Sequence, residues 1–183
     1  MKDWIALTKF RIQTLATPAG VMCYWIAGRG HWDWLDVLHL VIGLTLTSSA
    51  SAALNQVLEV EIDKKMERTR NRPLPSGRLS KRAATIFTVT TGAIGVLWLT
   101  LFLNPLTGWL SVVMLVSYGF IYTPLKQVTA LNTLVGAVPG ALPLLIGYSA
   151  AGAGLDVTAG VLFLILFLWQ LPHFFAIAWL YRG

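Results

Sequence analysis

The feature that most constrains this chain is a series of long stretches without any charged side chain. Residues 83–125 contain no Lys, Arg, Asp or Glu, and Asn104-Pro105 interrupts them near the middle. A bilayer core needs about 20 apolar residues per helix, so this stretch is long enough for two helices. The sequence therefore predicts an all-α, polytopic membrane bundle with six spans. These are Ile12–Gly28, Val37–Leu58, Ala83–Leu103, Leu106–Tyr122, Gln127–Leu155 and Val157–Tyr181.

The composition agrees with a membrane protein and excludes other classes. Hydrophobic residues make up 56% of the chain and charged residues 12%, whereas soluble domains are about 45–50% apolar and about 25% charged. This composition argues against a water-soluble enzyme and excludes a disordered chain. The single cysteine, Cys23, excludes an internal disulfide framework and a CxxC metal or redox site.

The positions of the basic residues predict the orientation. With the N-terminus in the cytoplasm, Arg29 is the one basic residue outside, and the other thirteen of the fourteen lie inside. The inner set is Lys2, Lys9, Arg11, Lys64, Lys65, Arg68, Arg70, Arg72, Arg78, Lys81, Arg82, Lys126 and Arg182. This asymmetry predicts a multi-pass protein of the inner membrane with a cytoplasmic N-terminus. The net charge of +6 is therefore a topology signal, and we expect no nucleic-acid partner.

Three oxygen-bearing side chains follow the second predicted span at intervals of four. Asn55, Glu59 and Asp63 would share one face if the helix continues past Leu58. Glu61 would then point elsewhere. Hard oxygen ligands in this pattern suit Mg²⁺, which takes one or two carboxylates together with phosphate oxygens and water. The alternative is a solvated, charged loop that only fixes topology.

Arginines come directly after these acids. Arg68 and Arg72 suit a diphosphate, because a guanidinium group bonds phosphate oxygens in pairs. Acidic and basic residues together beside a membrane thus predict a metal–diphosphate site.

Two later spans carry unusual residues. The fifth contains Pro139, Pro143 and several glycines, which indicates a helix that is either broken or closely packed. The sixth contains Gln170 and His173, which are costly in a bilayer unless they face the bundle interior or a water-filled cavity. His173 is either a ligand-contacting residue or a satisfied interior residue.

These segments resemble the UbiA superfamily of intramembrane prenyltransferases, and within it the protoheme IX farnesyltransferases (haem O synthases). The resemblance covers nearly the whole chain. It is carried by Thr8-Lys9-x-Arg11-Ile12, by Asn55…Glu59…Asp63-x-x-Met66-x-Arg68-Thr69-x-x-Arg72-Pro73, by Tyr122-Thr123-Pro124-Leu125-Lys126-x-x-Thr129-x-x-Asn132 with Gly136-Ala137-x-Pro139-Gly140, and by Trp169-Gln170-x-Pro172-His173-Phe174.

The resemblance implies transfer of a farnesyl group from farnesyl diphosphate to a vinyl group of haem b, giving haem O and diphosphate. Mg²⁺ on Asn55, Glu59 and Asp63 would act as Lewis acid. The substrate-binding residues implied by the resemblance are Arg68, Arg72, Tyr122, Lys126, Asn132, Gln170 and His173. His173 is the candidate for contact with the haem.

The chain also departs from the pattern of that family. The family usually has Asp where this chain has Glu59, commonly Asp at Glu61, and often Arg at Gln127. The family has nine helices and a second acidic motif after the Tyr-Arg that closes helix six. We therefore interpret residues 1–183 as one membrane-embedded prenyltransferase domain truncated at the C-terminus, and we expect it to be inactive alone. The oligomeric state is left open.

Three other functions compete with this interpretation. A UbiA-type enzyme for another acceptor, such as a quinone precursor, would share the acidic motif. A secondary-transporter half would share the proline- and glycine-rich helix, although here the charges cluster at one membrane face. A non-catalytic assembly subunit is the third.

Overall fold

The computed structural model describes residues 2–126, 128–129 and 132–180, and every regular element within these ranges is helical. The elements are α1 (Lys2–Leu7), α2 (Phe10–Ala27), α3 (Trp34–Leu58), α4 (Val60–Asp63), α5 (Lys81–Phe102), α6 (Pro105–Val116), a π-helical turn (Ser117–Tyr122), α7 (Thr123–Leu125), α8 (Asn132–Ala150) and α9 (Val157–Leu180). The all-α class predicted from the sequence is confirmed.

Within the described residues, five helical segments are long and apolar enough to cross a membrane. They are Trp34–Leu58, Lys81–Phe102, Pro105–Leu125, Asn132–Ala150 and Val157–Ala176. The first of the six predicted spans corresponds to α2, which has 18 residues, carries Pro18 and is not among the five. Gln127 and Tyr181, where two predicted spans begin and end, lie outside the described residues, as does Arg182.

The predicted break between the third and fourth spans is present and has a clear cause. Asn104 is extended and its side chain accepts a hydrogen bond from the N–H of Thr107 at 2.9 Å, while Pro105 takes the first helical position. An Asn cap followed by Pro is a strong helix start, because Pro has no N–H to leave unsatisfied there.

Small residues bring the helices into close contact. α8 packs against α2, α6 and α9, and α3 packs mainly against α5. A methyl group at Gly147 would collide with the backbone of Gly20, and one at Gly43 would collide with Leu99. Close backbone approach of this kind is how helices associate in lipid. α8 is continuous through Pro139 and Pro143, so the closely packed alternative is correct and the broken one is wrong.

The helices are irregular at three places: between α1 and α2, between α3 and α4, and at the π-helical turn. Side-chain hydrogen bonds join all three places, through Lys9, Asn55 and Thr123. The irregular backbone is therefore gathered at one end of the bundle. Arg29 follows the opposite end of α2.

Candidate functional site

The three predicted oxygen ligands, Asn55, Glu59 and Asp63, keep nearly the spacing of one continuous helix. α3 ends at Leu58, and Glu59 has the non-helical angles φ −95° and ψ 6° before α4 begins. The expected uninterrupted helix is thus wrong in detail. The four-residue spacing survives, because the N–H of Glu59 bonds the Asn55 carbonyl at 3.0 Å and the N–H of Asp63 bonds the Glu59 carbonyl at 2.8 Å. Asn55, Glu59 and Asp63 are all buried, while Glu61 is exposed and pairs with Lys64.

Each of the three side chains is held by a different cation. Lys9 Nζ donates to Asn55 Oδ1 at 3.1 Å. Lys126 Nζ lies 2.9 Å from Glu59 Oε1, and Arg72 Nη1 lies 2.7 Å from Asp63 Oδ2. In the described part of the chain, no three His, Cys, Asp or Glu side chains are grouped closely enough to hold a metal ion. A metal here would therefore have two carboxylates and the Asn55 amide oxygen as protein ligands.

Lys9 occupies a strained backbone position between α1 and α2. Its φ of 50° and ψ of 48° lie in the left-handed region, which costs a non-glycine residue about 1–2 kcal/mol. Gln56 Nε2 donates to the Leu7 carbonyl and Gln13 Nε2 donates to the Thr8 carbonyl, both at 2.8 Å. These bonds satisfy the carbonyls that the helix break releases. The buried glutamines thus hold the turn that carries Lys9.

The environment of the Lys9 amine disfavours its charge. Burial lowers the pKa of Lys9 to about 8, and the charges of Arg72 and Lys126 act in the same direction. The Glu59 and Asp63 carboxylates oppose that shift. Backbone strain and a perturbed pKa together make Lys9 a candidate functional residue.

The strain at Lys9 makes a stability prediction. We expect Lys9→Gly to be more stable than Lys9→Ala by about 0.5–1 kcal/mol, because glycine adopts a positive φ without steric cost. SDS-titrated unfolding in mixed micelles measures the difference. The matched control is Arg11 inside α2, where the order should reverse and Arg11→Gly should be the less stable variant. A Lys9→Ala variant as stable as Lys9→Gly would contradict the strain argument.

The loop after α4 folds back onto Asp63. The buried Thr69 hydroxyl donates to the Asp63 carbonyl at 2.9 Å, while Arg72 bonds the carboxylate of the same residue. This loop and Lys9 line an open cavity of about 340 Å³. Its lining includes Lys9, Arg68, Arg72 and Arg78. The cavity is therefore strongly basic.

The π-helical turn leads to Tyr122 and Lys126. Lys126 Nζ lies 4.4 Å from the centroid of the Tyr122 ring, and it also forms the ion pair with Glu59. The ring also packs on Gly136 of α8, where a Cβ atom would collide with it. The glycine thus lets the Tyr122 ring lie beside the basic end of the bundle, where it contacts Lys126.

A second cavity is apolar and is lined in part by Thr8, the neighbour of Lys9 in sequence. Its volume is about 110 Å³, and it lies among α2, α3, the π-helical turn and α8. Its lining is mainly apolar, including Ile12, Met114 and Pro143. A basic cavity and an apolar cavity therefore flank the same short turn.

The structure does not bring all predicted site residues together. Asn132 begins α8 and its Nδ2 bonds the Thr129 carbonyl at 2.8 Å. Gln170 is buried and faces α8, where its Nε2 lies 3.4 Å from the Ala137 carbonyl. His173, expected inside the bundle or in a cavity, is instead exposed and stacks on Trp169. Residues four apart share a helix face, so His173 lies on the same face of α9 as Trp169 and not on the face of Gln170.

Sequence reasoning passed over several residues that build this site. For Lys9 the available signal is the Thr8-Lys9-x-Arg11 run, which by itself assigns no role to the lysine. Thr69 was likewise inside a quoted run. Gln13 and Gln56 gave no signal beyond being polar residues in apolar segments, because their partners are carbonyls on a different helix.

Comparison with known proteins decides the family. A profile of the UbiA prenyltransferase family matches residues 15–183. The chain belongs to the UbiA prenyltransferase family. Among its relatives, the protoheme IX farnesyltransferase of Solibacter usitatus is 45% identical over 191 residues, and that of Rhodopirellula baltica is 45% identical over 185 residues. The alignments cover 100% and 97% of this chain but 65% and 62% of the two relatives. The chain thus spans slightly less than two thirds of their length.

Solved structures show the same fold at lower identity. A digeranylgeranylglyceryl phosphate synthase structure superimposes with a TM-score of 0.80 at 21% identity, over 93% of this chain and 59% of that one. A UbiA homologue from Archaeoglobus fulgidus bound to DMAPP and Mg²⁺ gives a TM-score of 0.73 at 15% identity, over 93% and 62% of the two chains. The chain therefore has the fold of this multi-pass membrane family.

Proposed function

We propose that this UbiA-family chain carries the active end of a Mg²⁺-dependent prenyltransferase that moves the farnesyl group of farnesyl diphosphate onto a vinyl group of haem b. The products are haem O and diphosphate. The observation that carries the proposal is the convergence of Asn55, Glu59 and Asp63 with three cations at one end of the bundle. The relatives named protoheme IX farnesyltransferase support this choice of substrates.

The donor set fits Mg²⁺. Two carboxylates and an amide oxygen are hard ligands, and the remaining positions suit diphosphate oxygens and water. When bound, the metal supplies Lewis-acid neutralisation of the negative charge on the leaving diphosphate. Asn55, Glu59 and Asp63 would hold it. The metal-bound UbiA homologue from Archaeoglobus fulgidus supports this assignment at the level of the family.

The chain's own cations provide the second part of the site. We assign Lys9, Arg72 and Lys126 to the diphosphate, together with Arg68 of the basic cavity. In the structure, Arg72 and Lys126 neutralise Asp63 and Glu59, and Lys9 donates to the neutral Asn55 amide. With substrate, the same cations can turn to phosphate oxygens, where fixed positive charge stabilises the departing anion in a site partly closed to water. Tyr122 is placed beside Lys126 and would donate a hydrogen bond to a phosphate oxygen.

The two cavities match an amphiphilic substrate. The basic cavity beside Lys9 suits the diphosphate, and the apolar cavity beside Thr8 suits the adjoining part of the isoprenoid tail. A transporter half has no need of a paired metal–diphosphate site at one face, so this arrangement favours the enzyme.

The names of the relatives and one sequence run indicate the acceptor. Haem b is favoured over a quinone precursor by the names of the relatives and by the Trp169–Phe174 run. His173 is exposed on α9 and available for contact with the haem.

Gln170 and Asn132 are two further residues that we propose for substrate binding. We also propose that residues 1–183 form one domain, with the N-terminus and basic end in the cytoplasm, in the inner membrane.

A binding experiment tests the site. The purified chain in nanodiscs should bind farnesyl diphosphate with Mg²⁺ present and lose most of this affinity with EDTA. Farnesol, which lacks the diphosphate, is the matched control ligand and should bind weakly under both conditions. Equal affinity for the two ligands, or no effect of Mg²⁺, would overturn the site.

A product experiment tests the acceptor. Membranes from cells carrying the intact gene should form haem O from farnesyl diphosphate and haem b. They should not prenylate an aromatic acid of the quinone-precursor type. Product masses distinguish the outcomes, and prenylation of the aromatic acid instead of haem would favour the alternative acceptor.

Glu59→Asp makes a milder prediction. The change keeps the charge and shortens the side chain by one methylene, and the flexible Lys126 can follow it. We expect affinity for farnesyl diphosphate with Mg²⁺ to stay within about 5-fold of wild type, whereas Glu59→Gln should cost about 10-fold or more because the charge is lost. Titration of the two variants side by side measures the difference. An Asp variant as weak as the Gln variant would show that side-chain length, rather than charge, is decisive.

A further inference from the structure

Thr123 lies at the end of the π-helical turn and is buried. Its backbone N–H bonds the Tyr118 carbonyl five residues earlier, as a π-helix requires. Its hydroxyl donates to the same carbonyl at 2.8 Å. The hydroxyl hydrogen is thus committed, and Oγ1 has only lone pairs left to offer a neighbour.

The Asn55 side chain meets this oxygen with its amino end. Asn55 Nδ2 donates to Thr123 Oγ1 at 3.2 Å, and Asn55 Oδ1 accepts from Lys9 Nζ at 3.1 Å. With the amide reversed, its NH₂ would face an ammonium group and its oxygen would face a hydroxyl that has no hydrogen to give. Hydrogen-bond accounting therefore selects one orientation, with Oδ1 toward Lys9.

We propose that Thr123 is a positioning residue that keeps the Asn55 oxygen turned toward the metal–diphosphate site. The inference rests on the proposed function, because that function gives Asn55 Oδ1 its role as a ligand. An amide can bind a hard cation only through oxygen. When Lys9 turns to the diphosphate, its bond no longer fixes the amide, and the Thr123 bond remains. The π-helical turn thereby determines which end of the Asn55 amide, on another helix, faces the site.

The test uses the purified chain in nanodiscs, with inorganic diphosphate as the probe. The quantity measured is the Mg²⁺ concentration that half-saturates diphosphate binding. Thr123→Val removes the hydroxyl and should raise this concentration about 10-fold, the usual cost of losing a partner behind a metal ligand. Thr123→Ser restores the hydroxyl and should return it to the wild-type value.

Thr88→Val is the matched control. Thr88 is also buried, and its hydroxyl donates to the Ala84 carbonyl of its own helix at 2.8 Å, outside the hydrogen bonds of the site. Thr88→Val should leave the Mg²⁺ concentration that half-saturates diphosphate binding unchanged. In the Asn55→Ala background, Thr123→Val should add no further loss, because the amide that it positions is absent. A 10-fold effect that persists there would overturn the inference.

A metal-free readout separates this inference from the proposed function. In the chain labelled with ¹⁵N-asparagine, the Asn55 side-chain NH₂ should exchange slowly in wild type and Thr123→Ser, and at least about 10-fold faster in Thr123→Val. Unchanged exchange would overturn the positioning role whatever the metal result. Faster exchange in Thr123→Val would confirm the hydrogen bond between Thr123 and Asn55. If Asn55→Ala nevertheless left Mg²⁺-dependent binding unchanged, Asn55 would not be a metal ligand. The positioning role of Thr123 would then be overturned as well.

Discussion

Asp63→Asn is expected to lower the affinity of the chain for farnesyl diphosphate in the presence of Mg²⁺ by about 100-fold. The substitution removes one of two carboxylates from the ligand set and also removes the charge that holds Arg72 at 2.7 Å. Losing a ligand and loosening a diphosphate-binding cation affect the same complex, so their costs combine. Because Asn has nearly the shape of Asp, the bond from Thr69 to the backbone carbonyl of residue 63 should survive.

Isothermal titration with and without Mg²⁺ measures this effect. Glu61→Gln is the matched control, since Glu61 lies in the same short helix but is exposed and pairs with Lys64. Glu61→Gln should bind as wild type does. If Asp63→Asn and Glu61→Gln bind farnesyl diphosphate equally well, Asp63 does not hold a metal, and the acidic residues serve only the fold.

Lys9→Met is expected to weaken diphosphate binding by about 30- to 100-fold, with or without Mg²⁺. Methionine keeps much of the length of the side chain and removes the ammonium group, and a buried contact between opposite charges is worth about 2–3 kcal/mol. The loss should persist without metal, because Lys9 would bind the phosphate oxygens directly. This behaviour contrasts with Asp63→Asn, whose effect should depend on Mg²⁺.

Inorganic diphosphate is the ligand that isolates the contribution of Lys9. Lys64→Met is the control, because Lys64 is an exposed lysine paired with Glu61 outside the basic cavity. Lys9→Arg should fall between wild type and Lys9→Met, since the guanidinium group keeps the charge but needs more room than an amine. A Lys9→Met variant with wild-type affinity for inorganic diphosphate would remove Lys9 from the site.

The sequence predicted Asn55, Glu59 and Asp63 and three of the four cations proposed for the diphosphate, and it missed Lys9. Asn55, Glu59 and Asp63 follow one another along a helix, so their spacing alone places them on one face, and the backbone bonds preserve that register despite the irregular Glu59. Arg72 was predicted because it follows closely in sequence. Lys9 lies 46 positions from Asn55, and no local pattern reports a contact over that distance.

His173 is a residue whose position the sequence did not determine. A histidine within an apolar span predicts an interior position, because a polar group is costly in lipid. In the structure, Gln170 takes the face toward α8, and His173 stacks on Trp169 on an exposed face of α9. Which face of an apolar helix is buried depends on its neighbours, and a helix as uniformly apolar as α9 carries little pattern to indicate it.

The sequence by itself determined the helical membrane fold, the interruption at Asn104-Pro105, the register of the acidic side chains and the family. Each of these follows from local features: runs of apolar residues, capping residues, and a four-residue repeat. Only the tertiary structure decided that Lys9, Lys126 and Arg72 contact Asn55, Glu59 and Asp63, and that Asn55 Nδ2 donates to Thr123 Oγ1. Those contacts depend on how closely the helices approach, and the small residues between them set that distance through packing across the whole bundle.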